Sequence, residues 1–164
     1  MPETKLVGSE NLIGKYLSFV LGDGEYAVEI LKIQQVIQLQ PITRIPRSPK
    51  FIRGVLNLRG KVVPILNLHS KFNMQSVEET GKTCILITEI SDRETTLIVG
   101  IVIDEVKEVM DINEEMLTDK PEMGKSKSAK HIIGAVRMNE KVRFLLDLDE
   151  ILVSEEFALL KKTI

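Results

Sequence analysis

The sequence predicts a mostly β protein of two related lobes, two small barrels side by side, closed by a C-terminal helix. Three observations carry this. The segment Gly54 to Leu68, GVLNLRGKVVPILNL, reads as two short strands joined by a tight Arg-Gly turn, and Gly134 to Leu148, GAVRMNEKVRFLLDL, repeats it without a gap eighty residues later. Gly54/Gly134, Lys61/Lys141, Val62/Val142, Leu66/Leu146 and Leu68/Leu148 are identical pairs, the mark of one supersecondary unit used twice. A second match, Ala27 to Ile30 with Gly100 to Ile103, extends through Ile33/Val106, Val36/Val109 and Leu39/Ile112 at an offset of 73. Finally, aromatics make up only 4% of the 164 residues and Trp is absent, so Val, Ile and Leu must fill the core, which favours strands.

Along the chain, Tyr16 to Leu21 and Glu25 to Ile30 form a predicted strand pair, turned by Gly22-Asp23-Gly24. Leu31 to Val36 reads equally as helical turn or strand. Pro41, Pro46 and Pro49 punctuate an extended connection. The hairpin 55–59/62–68 follows, then a helical turn at Leu68 to Phe72 and a polar loop over 73–81. Thr83 to Glu89 and Thr95 to Ile103 are strands. The two offsets require seven extra residues in the second copy, and Asn113 to Lys130 is the natural place for them. Asp149 to Val153 and Glu155 to Lys162 read as helical. Ser154 is the expected N-cap, Glu155 and Glu156 suit the positive end of the dipole, and Lys161 and Lys162 suit the negative end. Phe157, Leu160 and Ile164 give that helix its apolar face. Residues 1–14 are a tail, and 15–162 form one domain with lobes near 15–75 and 82–152, leaving open which terminal strand joins which lobe.

Charge divides the chain. Ile30 to Val77 contains no Asp or Glu but carries Lys32, Arg44, Arg47, Lys50, Arg53, Arg59, Lys61 and Lys71, a local +8. Since the whole chain is −2, the rest is −10. Asp104, Glu105, Glu108, Asp111, Glu114, Glu115, Asp119 and Glu122 crowd one short stretch. Such a division is a handle for protein partners.

Catalytic and cofactor chemistry finds no support. His69 and His131, on loops or strand edges, have no cysteine or paired carboxylate at ligand spacing, so no metal site is expected. Cys84 reads as a buried, inert side chain within a strand. Gly22-Asp23-Gly24 lacks the third glycine and following helix of a dinucleotide site. Asp147 copies Asn67 and reads as a strand-end residue; Asp149 reads as a helix cap. Nucleic-acid binding would need aromatic platforms among the cations, and the basic span holds only Phe51 and Phe72. No apolar run is long enough to cross a bilayer, no secretory signal precedes the domain, and the single cysteine suits a reducing cytoplasm. Recognition of proteins remains. Gly54 and Gly60 mark sharp turning or close approach. Arg59 at the hairpin tip, replaced by Asn139 in the copy, suits either an internal bond or a partner contact. Ile33 and Val36, apolar in both copies, suit a core.

GEYAVEILKIQQV (Gly24 to Val36), TRIPRSPKFIRGVLNLRGKVVPILNL (Thr43 to Leu68) and the SEEFALL ending from Ser154 resemble the CheW family of bacterial chemotaxis coupling proteins, with a likeness running from Lys15 to Leu160. The resemblance implies two five-stranded SH3-like barrels around a shared core. It implies a non-enzymatic cytoplasmic adaptor without cofactors. Such an adaptor links the cytoplasmic tips of methyl-accepting receptors to the regulatory domain of the histidine kinase CheA and helps assemble receptor arrays. The receptor contact of the family corresponds to Ile33, Gly54, Asn57, Leu58 and Arg59. Its kinase contact corresponds to Gln35, Val36 and Leu39, with Gln35 standing where many relatives carry an acid. A second kinase contact, on the second barrel, corresponds to Glu122 and Met123. Coupling in a non-flagellar pathway is the close alternative, and a small-barrel nucleic-acid binder the distant one.

Overall fold

A computed structural model of the chain describes residues 12–75, 77–118 and 131–163. Most of the expected tail, and residues 119–130 of the expected insertion, lie outside these. Among the described residues, eleven strands run in order: β1 (Gly14–Leu21), β2 (Gly24–Glu29), β3 (Ile33–Gln38), β4 (Ile52–Leu58), β5 (Lys61–Leu66), β6 (Cys84–Ser91), β7 (Thr96–Ile103), β8 (Glu105–Ile112), β9 (Leu117–Thr118), β10 (Ile132–Met138) and β11 (Lys141–Leu146). The α-helices α1 (Leu68–Lys71) and α2 (Ser154–Thr163) accompany them. The ambiguous segment after β2 resolves into both of its readings: a 3₁₀ turn at Ile30–Lys32, then β3.

The strands form two sheets. One has five in the order β3-β6-β7-β5-β4; the other has six, β8-β1-β2-β11-β10-β9. Each sheet draws on both halves of the chain. The β1–β2 hairpin joins the sheet built otherwise from the second copy, and β6–β7 joins that of the first. The parallel junctions are equivalent: Ile65 faces Gly100 in one and Leu145 faces Ala27 in the other. The repeated hairpins share even their irregularity. Each shifts register between an isoleucine at the strand start and the glycine two residues on, at Ile52/Gly54 and at Ile132/Gly134.

Alternating strand faces produce three apolar clusters. Leu56, Val63, Ile65, Ile85, Ile87 and Val102 fill the five-stranded sheet's own core. Tyr16, Ala27, Met110, Ile112, Val136 and Leu145 fill that of the six-stranded sheet. A larger shared core, including Phe19, Leu21, Leu66, Leu86, Ile101, Leu146 and Leu148, also takes in Phe157 and Leu160 from α2. Burying each large aliphatic side chain is worth roughly 1.5–3 kcal/mol, so the shared core ties the two sheets into one cooperative body. Ile164 lies outside the described residues.

Helix ends follow local chemistry, with two corrections to the expectations from sequence. Asn67 and Asp147 are equivalent caps: Asn67 Oδ1 accepts from Ser70 N at 3.2 Å and Asp147 Oδ1 from Asp149 N at 3.0 Å. Asp149 is therefore not a cap; its carboxylate accepts from Lys32 Nζ and from the Ser91 N–H. At α2 the first helical bond runs from Phe157 N to Val153 O, so the cap position is Val153, one residue before Ser154. Glu156 reaches back to the Val153 N–H at 2.9 Å, which is half of a capping box.

Candidate functional site

The β4–β5 turn carries Arg59 at φ 53° and Gly60 at φ 84°, the two positive angles of a type I′ hairpin. Glycine suits the second position. An arginine at the first costs about 1–2 kcal/mol of backbone strain. Asn57 Oδ1 accepts from Gly60 N at 3.0 Å and fixes the turn. Arg59 has no hydrogen bond or ion pair among the described residues and is exposed to solvent. Leu58 is half-buried against the core of the five-stranded sheet. In the copy, Asn139 and Glu140 take the same conformation, at φ 50° and 67°.

Gly54 is buried. It lies at φ 155°, and a Cβ there would sit 2.2 Å from the carbonyl oxygen of Thr43. The proline-punctuated connection presses onto β4 here, through Thr43 N to Val55 O at 2.9 Å and Val55 N to Thr43 O at 2.8 Å. Gly54 thus shapes the surface from beneath it. Of the five expected receptor-contact residues, Asn57, Leu58 and Arg59 form one turn, Gly54 underlies the same strand, and Ile33 begins β3 at the opposite edge of the sheet order.

β3 alternates strictly. Ile33, Gln35 and Ile37 face inward and are half-buried; Gln34, Val36 and Gln38 are exposed. Val36 is 46% and its copy Val109 52% exposed, so neither is core, and only Ile33 and Val106 fit that reading. Gln35 and Val36 therefore occupy opposite faces of one edge strand. Leu39, just beyond it, leans on the core of the same sheet. Leu31 on the preceding turn is 89% exposed, an apolar side chain that sequence reasoning does not single out. Glu122 and Met123 lie outside the described residues.

The charge asymmetry is resolved unequally. Four members of the acidic stretch are answered from within: Asp104 meets His69 at 3.0 Å, Glu105 meets Lys107 at 3.6 Å, Glu108 meets Arg143 at 2.8 Å and Asp111 meets Lys15 at 3.0 Å. His69 is buried on α1 and not on a loop, and the Asp104 oxygen it meets also accepts from Gly22 N at 2.7 Å. On the basic side Lys32 pairs with Asp149, Arg53 with Glu79 and Lys71 with Glu156. Arg44, Arg47, Lys50, Arg59 and Lys61 make no such bond among the described residues. Five cations remain available to a partner.

Cys84 is half-buried, and burial pushes its thiol pKa up, away from reactivity. No three His, Cys, Asp or Glu side chains converge as a metal site among the described residues, and no described helix is long and apolar enough to cross a membrane.

The CheW-like domain family matches residues 15–156. The chain belongs to the CheW family. The chemotaxis protein CheW of Klebsiella aerogenes is 36% identical over 156 residues, 95% of this chain and 91% of that protein. CheW of Thermotoga maritima is 32% identical over 136 residues, 83% and 85% of the two chains. Protein FrzA of Myxococcus xanthus is 26% identical over 153 residues, 92% of each. The crystal structure of the scaffolding protein TtCheW from Thermoanaerobacter tengcongensis superposes with a TM-score of 0.73 at 26% identity, covering 85% of this chain and 92% of that one. Proteins of the CheW family are scaffold adaptors and not enzymes, and the chain is a chemotaxis adaptor of this kind.

Proposed function

We propose that the chain couples the cytoplasmic tips of methyl-accepting chemotaxis receptors to the regulatory domain of the histidine kinase CheA, within arrays at the inner face of the membrane. The β4–β5 turn with Asn57, Leu58 and Arg59, shaped by Gly54 and joined by Ile33, is the receptor surface. The β3 edge with Gln35, Val36 and Leu39 is the kinase surface, and Glu122 and Met123 belong to a weaker second kinase contact.

The observation that carries the kinase surface is Val36. It is an apolar side chain left 46% exposed on an edge strand, whose unpaired backbone groups are open to a partner. Its exposure has no use in folding and suits an anchor worth about 1–2 kcal/mol at an interface. The mechanism is physical coupling. Receptor helices shift, the adaptor holds the kinase domain against them, and the kinase equilibrium moves by the difference in contact energy between its states. Unpaired cations steer the encounter and give it salt dependence.

Titration calorimetry against the CheA regulatory domain of the same organism tests the reading. Saturable one-to-one binding, weakened about tenfold in Val36→Asp, is expected. Absence of binding between two folded partners would leave the family intact and refute this partner.

A further inference from the structure

We propose that the cleft between the 39–50 connection and the start of β4 is a docking site for an acidic peptide segment of a partner protein, and that Glu79 is its internal stand-in. The cleft has a volume of about 680 Å³, within the range that holds a few side chains. Leu39, Ile42, Arg44, Lys50, Arg53 and Glu79 are among its lining residues.

Three features specify the occupant. First, Arg44 and Lys50 are exposed and bonded to nothing among the described residues. Like charges gathered without counterions favour an anion. Second, Glu79 comes in from the polar loop after α1 and lays its carboxylate on Arg53. A carboxylate on a guanidinium is the geometry an acidic side chain of another protein would reproduce. The two side chains of this pair are 32% and 47% exposed, so solvent weakens it and an incoming carboxylate can exchange with it. Third, Leu39 and Ile42 are half-buried in the wall, offering apolar contact between the charged points. Next to the lining residue Ser48, Arg47 is held at φ 63° in the turn closed by Ser48 N to Ile45 O. Glycine or asparagine suits that position better, so a further cation is kept there against a conformational cost. No aromatic side chain lines the cleft, which removes the stacking platform a nucleic-acid strand uses.

This inference concerns the chemistry of the occupant and does not depend on CheA being the partner, although Leu39 belongs to both surfaces. The test is fluorescence anisotropy with a dye-labelled synthetic peptide of interspersed Glu and Leu, at low salt, on the full chain. Wild type should bind saturably. Arg44→Glu with Lys50→Glu should weaken binding about tenfold or more. Lys61→Glu with Lys162→Glu, the same charge change away from the cleft, should alter it less than about twofold. Glu79→Gln should tighten it about threefold by removing the competitor. All these positions are exposed, and unchanged thermal unfolding confirms intact folds. Equal losses in the two double variants, weaker or unaltered binding in Glu79→Gln, no binding by wild type, or displacement of the peptide by an oligothymidylate at equal concentration would each overturn the proposal.

Discussion

The two lobes share one backbone plan and fill it differently. In the five-stranded sheet the inner positions are aliphatic: Val63, Ile85, Ile87, Ile98 and Ile37. Their equivalents in the six-stranded sheet are Arg143, Tyr16, Ser18, Glu25 and Met110. Arg143 is 9% exposed where Val63 is 3%. It donates from Nε to Glu25 at 2.9 Å and from Nη1 to Glu108 at 2.8 Å, with the Met110 sulfur at 3.0 Å. Glu108 stands where the first lobe has Gln35. The second lobe therefore answers Glu25 and Glu108 with its own arginine. The first lobe has neither that arginine nor those acids, and five of its cations face solvent with no bond among the described residues. One copy has turned its polarity inward as structure, and the other leaves its charge open to solvent. A duplicated unit can divide these tasks because the shared core, not either lobe alone, holds the fold.

The largest effect should come from breaking the inward polar cluster. Arg143→Met leaves Glu25, whose side chain is only 16% exposed, with only the looser pair to Lys141 at 3.6 Å, and should destabilise the protein by about 3 kcal/mol in denaturant unfolding. The triple change Arg143→Val, Glu25→Ile, Glu108→Gln, which copies the first lobe's chemistry, should recover most of that loss. Burial works to raise the Glu25 pKa, but the hydrogen bond and charge of Arg143, aided by Lys141 and Lys107, override it and lower the pKa overall. A folded-state pKa below the unfolded one contributes stability above the unfolded value, lost as pH falls through the folded value. Wild type should thus lose stability on acidification through the carboxylate range. In Arg143→Met the largest pull on the Glu25 carboxyl is gone while burial and the charges of Lys141 and Lys107 remain, so the Glu25 contribution shrinks and acid should cost less stability than in wild type. A pH series of unfolding curves in which both proteins respond alike would show that the cluster does not hold Glu25 ionised.

Next in size are losses at the open lobe. Val36→Asp should weaken binding to the CheA regulatory domain by about tenfold, more than it weakens receptor binding, with thermal unfolding almost unmoved because Val36 is exposed. Equal losses for both partners would mean the lobe itself had collapsed. Val109→Asp is the control from the closed lobe and should spare that binding. Arg59→Ala should keep its stability within about 0.5 kcal/mol and weaken receptor coupling in a reconstituted kinase assay. A sharp fall in stability with binding unchanged in the folded fraction would make Arg59 structural.

Much of this plan is legible in the residues. The gapless repeat encodes the two hairpins and their tight turns, which depend on local register, while the shared bulge appears only in the fold. The second offset locates β2 against β7 and β3 against β8. Two features escape the sequence for physical reasons. Spacing Ile33, Val36 and Leu39 by threes treats them as one face, whereas the strand's period of two puts Val36 opposite Ile33. His69 finds Asp104 thirty-five residues away, a pairing made by folding and invisible to local motif spacing. Arg143 lies within the repeat, aligned with Val63, so its signal is present: a charged residue in register with a core valine announces a buried pair. The unpaired cations show only in part, since composition gives the +8 span but not which members are neutralised.

The smallest expected effect probes how completely polarity is satisfied in the closed lobe. Tyr16 is fully buried at the place equivalent to Ile85, and its hydroxyl has no hydrogen-bond partner among the described residues. Burial, followed by the nearby Glu29 and Asp147 charges, pushes its pKa up to about 12. An unpartnered buried hydroxyl opposes folding, and the ring alone supplies the packing against Met110 and Val136 in that cluster. Tyr16→Phe should therefore raise stability, by about 0.5–1 kcal/mol, and leave partner binding untouched because no expected contact residue adjoins it. The corresponding Ile85→Val in the open lobe, which removes a methylene from a fully aliphatic core, should cost about 1 kcal/mol. Opposite signs at equivalent positions would show that the closed lobe carries polar groups its packing does not need. A loss of stability in Tyr16→Phe would instead place the hydroxyl within the Arg143 network, making the second lobe's interior one satisfied polar unit.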